Sequence, residues 1–142
     1  MTLLLLFNQP PYYRVLLNTA QRLIAQNEPE IAVVTAQMAC EIYTEQMFTA
    51  MFKKRGVDFL EEAIDELLPN YNLGNEKVRK IYIALCGDMI QNASFWLRFK
   101  EAVKLRNGAV HGGNRISKQQ AEDACQAFSE LVQHIEAVLR KP

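Results

Sequence analysis

The chain has 142 residues, of which 49% are apolar, and its 16 basic side chains balance 16 acidic ones. This length favours one domain over residues 1–142, with enough apolar side chains for a core. The zero net charge excludes attraction of a partner by overall charge, and no apolar run approaches the roughly 20 residues that span a bilayer.

Proline and glycine divide the first half of the chain into helices. Pro10 and Pro11 open a first helix that runs to about residue 26. Pro29 stands near the first position of a long second helix, over about residues 30–54, which Gly56 ends. A short amphipathic helix over residues 59–68 then stops at Pro69.

Polar N-cap residues mark the helices of the second half. Asn75 offers a cap for a helix to about residue 91, and Ser94 offers one for a helix over about 95–107. Ser117 and Gln120 have the spacing of a capping box that starts a last helix, to about residue 139. No segment alternates with period two. We therefore expect an all-α fold, an antiparallel bundle of four to six helices with a long central second helix.

The second helix carries two apolar stripes, which indicates a central helix or a subunit interface. One stripe comprises Ile31, Val34, Met38, Ile42 and Phe52, and the other Val33, Ala36, Cys40, Tyr43, Met47 and Met51. Glu41 and Glu45 lie within the first stripe. A buried carboxylate without a partner is costly, so each either has a partner or reaches solvent. We expect Glu45 to reach solvent and take Glu41 as a candidate functional residue.

The cysteines and the N-terminus suggest an intracellular protein. Cys40, Cys86 and Cys125 lie far apart without a CxxC pair, which argues against a disulfide scaffold or a zinc site and fits a reducing interior. The apolar run at residues 3–7 is too short for a signal sequence and has no basic residues before it. We expect a cytoplasmic protein with no metal, cofactor or membrane segment.

Charge is unevenly distributed despite the neutral total. Residues 58–66 contain five acids and no base, whereas residues 98–118 contain six bases and one acid. Such segregation produces a local positive field around the second segment, although solvated helix faces would give the same pattern.

An arginine and a histidine stand five positions apart inside this basic segment. Arg106 shares a helix face with Phe95, Phe99 and other apolar side chains, and its planar guanidinium matches a phosphate. It would otherwise extend to solvent from a helix end. His111 titrates near neutrality, as an acid–base group requires, although a structural histidine in a turn fits equally.

On a continuous helix, Arg106 and His111 would point about 140° apart. Two arrangements would bring such side chains to one target. Asn107 and Gly108 interrupt the helix and redirect His111, or two chains each supply part of a site across a two-fold axis.

The segment Arg106-Asn107-x-x-x-His111, at the end of one bundle helix and followed by a last amphipathic helix, resembles the Arg-x(4–6)-His motif of the HEPN (higher eukaryotes and prokaryotes nucleotide-binding) superfamily. A polar residue directly after the arginine is typical of that motif. The resemblance covers the helical layout of most of the chain, and individual residues over about 95–139.

The resemblance implies a metal-independent endoribonuclease that acts as a homodimer. His111 would be the general acid or base, Arg106 would stabilise phosphoryl charge, and Asn107 would orient His111 or the phosphate. Glu41 would support the motif from an early helix. The product would be a 2′,3′-cyclic phosphate. Such proteins serve in toxin–antitoxin pairs or phage defence, beside an antitoxin or a nucleotidyltransferase-type partner.

Candidates for RNA binding near the motif are Lys104, Arg115 and Trp96, whose indole is suited to stacking on a base. Two alternatives remain open. The chain is a non-catalytic HEPN-type module that binds nucleotide, RNA or a partner protein, or it is a helical oligomerisation domain in which Arg106 and Glu41 form a structural ion pair.

Overall fold

The structure, a computed structural model, describes residues 10–141, so the apolar run at residues 3–7 lies outside it. Within this range the chain is all-helical and contains no strand. Its six α-helices are α1 (Tyr12–Ala25), α2 (Pro29–Lys54), α3 (Glu61–Leu67), α4 (Glu76–Cys86), α5 (Trp96–Gly112) and α6 (Lys118–Leu139). Short 3-10 turns, Asp58–Leu60 and Ile90–Asn92, precede α3 and α5.

Several helix ends form by the local chemistry that the sequence predicts. At the end of α2, Gly56 has a φ of 72°, and the next N–H, of Val57, donates to the Phe52 carbonyl at 2.9 Å. The Asn75 side chain accepts hydrogen bonds from two backbone N–H groups at the start of α4. Ser117 and Gln120 form the complete capping box of α6.

Two predictions for the segment between the fourth and fifth helices are wrong. The fourth helix ends at Cys86 and not near residue 91, because Gly87 adopts a left-handed conformation with a φ of 76°. Ser94 does not cap α5, which begins at Trp96 without a side-chain cap. The preceding 3-10 turn leads into the helix instead: the Trp96 N–H donates to the Ala93 carbonyl at 3.1 Å, and Phe95 is already helical.

Helix α2 is the centre of the bundle and packs against α1, α4, α5 and α6. It approaches α6 closely because small side chains line the contact, and Ala32, Ala36 and Ala121 are completely buried. The Cys40 thiol on α2 donates to the Phe128 carbonyl on α6 at 3.2 Å, a contact that only closely packed helices allow.

The two stripes of α2 have different environments. Every residue of the stripe from Val33 to Met51 is buried. In the other stripe Ile31 and Met38 are exposed, Val34 and Ile42 are half-buried, and only Phe52 is covered. Glu45 is exposed, as the sequence predicts. The described chain therefore leaves an apolar strip of its central helix uncovered; we call Ile31, Val34, Met38 and Ile42 the α2 strip.

Helix α5 runs antiparallel to α6 and lies beside the first half of α2. Phe99 contacts Phe128 at a ring distance of 5.9 Å. Just after α5, Arg115 pairs with Glu30 at the start of α2, with 2.9 Å between Nε and Oε1. The C-terminal end of α5, which carries the Arg-His motif, is thereby held next to the N-terminal half of α2. None of the described helices is both long enough and apolar enough to cross a membrane.

The capping box provides a stability test. Ser117→Ala removes an N-cap hydrogen bond and should lower the free energy of unfolding by about 1 kcal/mol, measured by urea denaturation. Ser94→Ala is the matched control, because Ser94 is exposed and caps nothing. It should change the free energy by less than about 0.5 kcal/mol. Equal losses in the two variants would contradict the assigned helix starts.

Candidate functional site: the C-terminal end of α5

Helix α5 is continuous through the motif. The sequence predicts a helix end at about Asn107, and a break at Asn107 and Gly108 is one of the two arrangements that it allows, but the helix extends to Gly112 and ends at Gly113, whose φ is 68°. Gly108 has a packing role: a Cβ there would lie 2.9 Å from Nδ2 of Asn114, whose side chain folds back over the helix. The glycine makes room for this side chain, and the helix continues past it.

Because the helix is continuous, Arg106 and His111 diverge. Five residues correspond to a rotation of about 140° and a rise of about 7.5 Å. Arg106 is half-buried on the side facing α2, whereas His111 is exposed. Of the two arrangements that the sequence allows, redirection of His111 by a helix break does not occur. The two side chains therefore do not face one target within a single chain.

Arg106 has unused hydrogen-bonding capacity. Its Nη1 donates to Oδ1 of the neighbouring Asn107 at 3.2 Å, whereas its Nε is buried and has no hydrogen-bond partner among residues 10–141. A buried donor left unsatisfied costs about 1–3 kcal/mol. Arginine in this position is suited to a further acceptor, such as an anionic oxygen.

Glu41 is the acidic residue whose pKa is affected by the charge of Arg106. It is half-buried on α2, burial raises its pKa, and the positive charge of Arg106 opposes that rise. The two side chains lie within electrostatic reach but form no ion pair within 4 Å, so the predicted structural salt bridge is not made in this conformation. Arg106 thus remains free to bind another anion.

Gln37 is a polar residue near this site that the sequence did not single out. It lies one turn before Glu41 on α2, is only 5% exposed, and its Oε1 has no partner within the described part of the chain. A buried amide oxygen and a buried guanidinium N–H, both unsatisfied, therefore occur on neighbouring helices. The available signal in the sequence was the position of Gln37 four residues before Glu41, within an otherwise apolar turn.

The candidates for RNA binding differ in availability. Lys104 is exposed and pairs with no described carboxylate. Arg115 is exposed but engaged with Glu30. Trp96 is only 6% exposed, packed against Phe99 and covered by the Arg79 guanidinium 5.4 Å from its ring centroid. In this conformation the indole offers no free face to a base.

The second histidine of the chain has a structural environment. His134 Nε2 lies 2.7 Å from Oδ2 of Asp88, and the Tyr82 hydroxyl donates to the same oxygen at 2.7 Å. The imidazole also packs edge-on against Phe95 at 5.3 Å. His134 thereby ties α6 to the loop after α4, whereas His111 is left free.

Two of the grooves on the described surface are well defined, and neither of these two is lined by Arg106 or His111. One, of about 530 Å³, lies at the C-terminal ends of α2, α4 and α6; the other, of about 450 Å³, lies between α5 and α6. Residues 10–141 contain no group of three His, Cys, Asp or Glu side chains arranged to hold a metal ion. The motif itself lies in the last turns of α5, outside both of these grooves.

Comparisons with protein-family models, with characterised proteins and with solved structures find no match. The site is therefore interpreted from its own residues and from the motif in the sequence.

The Arg106–Glu41 interaction predicts a pH effect. Arg106→Met removes the charge that lowers the pKa of Glu41, so this pKa should rise further. A carboxyl group with a raised folded-state pKa stabilises the fold below its unfolded pKa of about 4.3, and loses this contribution as pH rises through the folded pKa. As pH rises above about 4.3, the free energy of unfolding should therefore fall over a wider pH range in Arg106→Met than in the parent. Urea denaturation at several pH values measures this free energy.

Two further variants control this measurement. Glu41→Gln in the Arg106→Met background should abolish the added pH dependence. Glu45→Gln, one turn further along α2 and exposed, should leave it intact. A parent-like pH profile for Arg106→Met would show that the two charges do not interact in solution.

Proposed function

We propose that the protein is a metal-independent endoribonuclease of HEPN type that acts as a homodimer. The observation that carries this proposal is the half-buried guanidinium of Arg106, which has an unsatisfied Nε and lies beside Asn107 and one and a half turns before an exposed histidine. This is a phosphate-binding cation next to an acid–base group, in the order and spacing of the family motif.

The divergence of Arg106 and His111 is the reason for proposing a dimer. A site that needs both side chains requires a second copy in which His111 approaches the Arg106 of its partner. The α2 strip lies on the helix that flanks α5. Val110 lies between Arg106 and His111 in the sequence of α5, and its side chain is 46% exposed. We propose that these apolar side chains form the contact across the two-fold axis, which would bring two motifs into one cleft.

The proposed reaction is transfer of the RNA phosphoryl group to its own ribose. His111 acts as general base and removes the proton of the 2′-hydroxyl, whose oxygen attacks the adjacent phosphorus. The bond from phosphorus to the 5′-oxygen breaks, and an imidazolium returns a proton to that oxygen. The products are a 2′,3′-cyclic phosphate and a 5′-hydroxyl end.

The other residues act on charge and orientation. Arg106 stabilises the negative charge that develops on the phosphoryl oxygens, an effect that is strongest when the cation is already in place and partly shielded from water. Asn107, which accepts a hydrogen bond from Arg106, holds the guanidinium in position. Glu41 supports Arg106 from α2. By the same resemblance, we propose a role beside an antitoxin or a nucleotidyltransferase-type partner.

One observation favours a second function. Arg106 and His111 point apart in the single chain, so one chain presents each residue separately. A non-catalytic module needs only one of them to bind nucleotide, RNA or a partner protein. A domain of that type would bind without cleavage, and its expression would leave bacterial growth normal. Cleavage of RNA by the purified protein separates the two functions.

The catalytic proposal predicts the loss of cleavage in motif variants. His111→Ala and Arg106→Ala should each reduce RNA cleavage by at least about 100-fold, because each removes a group that acts in the transition state. The parent should remain active in EDTA. Cleavage is measured on total RNA, and the ends of the products are mapped for a cyclic phosphate.

A matched arginine control is available on α1. Arg22→Ala removes an exposed arginine whose side chain, among the described residues, bonds only Thr19 of its own helix, and this variant should cleave RNA as the parent does. Parent-like cleavage by His111→Ala or Arg106→Ala would refute the assignment, as would complete inhibition by EDTA that added divalent metal reverses.

The dimer predicts a difference between two methionines of similar exposure. Met38, 46% exposed on the α2 strip, and Met89, 49% exposed in the loop after α4, are both compatible with lysine in the monomer. Met38→Lys should convert the dimer to a monomer and abolish cleavage, since it places a charge in the apolar contact. Met89→Lys should do neither. Light scattering and the cleavage assay measure the outcomes, and a dimeric Met38→Lys variant would exclude the α2 strip as the interface.

A further inference from the structure

The outer face of α5 carries a line of polar and basic side chains that ends at His111. Lys100, Lys104, Asn107 and His111 fall within about 60° of one another around the helix. All four are exposed. The centre of this face is about 130° around the helix from Arg106, which points toward α2. It extends over about 16.5 Å from Lys100 to His111, at 1.5 Å per residue.

The two lysines on this face are not neutralised. Several cations elsewhere pair with a carboxylate, among them Arg14, Lys80, Arg98 and Arg115. Lys100 and Lys104 have no carboxylate within 4 Å among residues 10–141. Unpaired cations on one helix face raise the local concentration of anions.

A third cation continues the line on the neighbouring helix. Arg79 on α4 lies over the ring of Trp96, one turn before Lys100. Its Nη1 donates to the carbonyls of Leu73 and Gly74, at 3.2 and 3.3 Å, and no described carboxylate pairs with it. These bonds fix the position of the guanidinium but leave its charge uncompensated. We call Arg79, Lys100 and Lys104 the basic track.

Acidic residues mark one side of this track. Glu101 is exposed about 60° from Lys104 around the helix, on the side of the groove between α5 and α6, which Asp123 also lines. A polyanion would be repelled from that groove and would follow the side of the helix on which Arg79 lies. The charges therefore define a direction, from α4 along α5 to His111.

We propose that the phosphate backbone of a single-stranded RNA binds along the basic track, which leads the strand to His111. This inference rests on the proposed ribonuclease function and adds the path of its substrate. A straight line of cations on one convex helix fits a single flexible strand, whose bases are free to point away from the protein. Attack by a 2′-hydroxyl on the adjacent phosphorus also needs a backbone that is not held in a duplex.

Salt dependence of binding tests the track. All proteins in the test carry His111→Ala, so that a short fluorescent single-stranded RNA remains intact. Each phosphate contact to a single strand contributes about 0.7 to the slope of log affinity against log salt. Lys100→Gln with Lys104→Gln should therefore reduce the magnitude of that slope by about 1.4. The matched control, Lys53→Gln with Lys54→Gln, removes two exposed lysines at the end of α2 and should leave the slope unchanged.

The outcomes separate the track from the catalytic proposal. A slope unchanged by the Lys100 and Lys104 substitutions, or reduced equally by the control, overturns the track even if the parent cleaves RNA. A reduced slope supports the track even if the parent cleaves nothing, in which case only the nuclease function fails. The preference for a single strand is overturned if a matched duplex RNA binds as tightly as the single strand and its salt slope responds in the same way to both pairs of lysine substitutions.

Discussion

The close approach of α2 and α6 determines how the rest of the bundle is arranged. Alanines on both helices allow this contact. Cys40 and Cys125 also lie in it, and each small thiol faces a backbone carbonyl of the opposite helix. With one side of α2 committed to α6 and α1, its α2 strip must point outward. Helix α5 then packs along the margin of that strip, which leaves the Arg-His motif beside the uncovered part of the central helix. The proposed interface and the proposed site are adjacent for this reason.

Most of the fold follows from local chemistry that a sequence displays. Gly56, Asn75 and Ser117 mark helix ends because their own backbone freedom or side-chain oxygens satisfy terminal groups. Gly108 was misinterpreted as a helix breaker because its role depends on Asn114, six residues later, whose side chain folds back after the turn. Ser94 was misinterpreted because a 3-10 turn supplies the entry to α5. The role of Gly108 could not be predicted because it depends on a residue outside its own turn.

The candidate site shows the same division between local pattern and spatial contact. The apolar face of α5 predicted an inward Arg106, and the structure places it half-buried near Glu41. Gln37 was missed because its only sequence signal, a position four residues before Glu41 in an apolar turn, does not show that its side-chain oxygen is buried and unsatisfied, which depends on how the helices pack. Helix α5 separates two tasks by direction: one face holds a cation in a partly buried position, and another, about 130° around the helix, presents a histidine and lysines to solvent. A continuous helix can maintain that separation better than the broken one that the sequence suggested.

The three thiols give the molecule one natural attachment point. Burial raises the pKa of Cys40 far above its usual value and that of Cys125 to about 11, so both stay protonated at neutral pH and neither is open to reagents. Cys86 alone is partly exposed, at the end of α4 and on the wall of the larger groove. A thiol-reactive fluorophore or spin label would therefore attach to the native sequence at a single position, remote from the motif. In an assembly of two chains, the two labels would report one distance, and no cysteine would have to be introduced or removed.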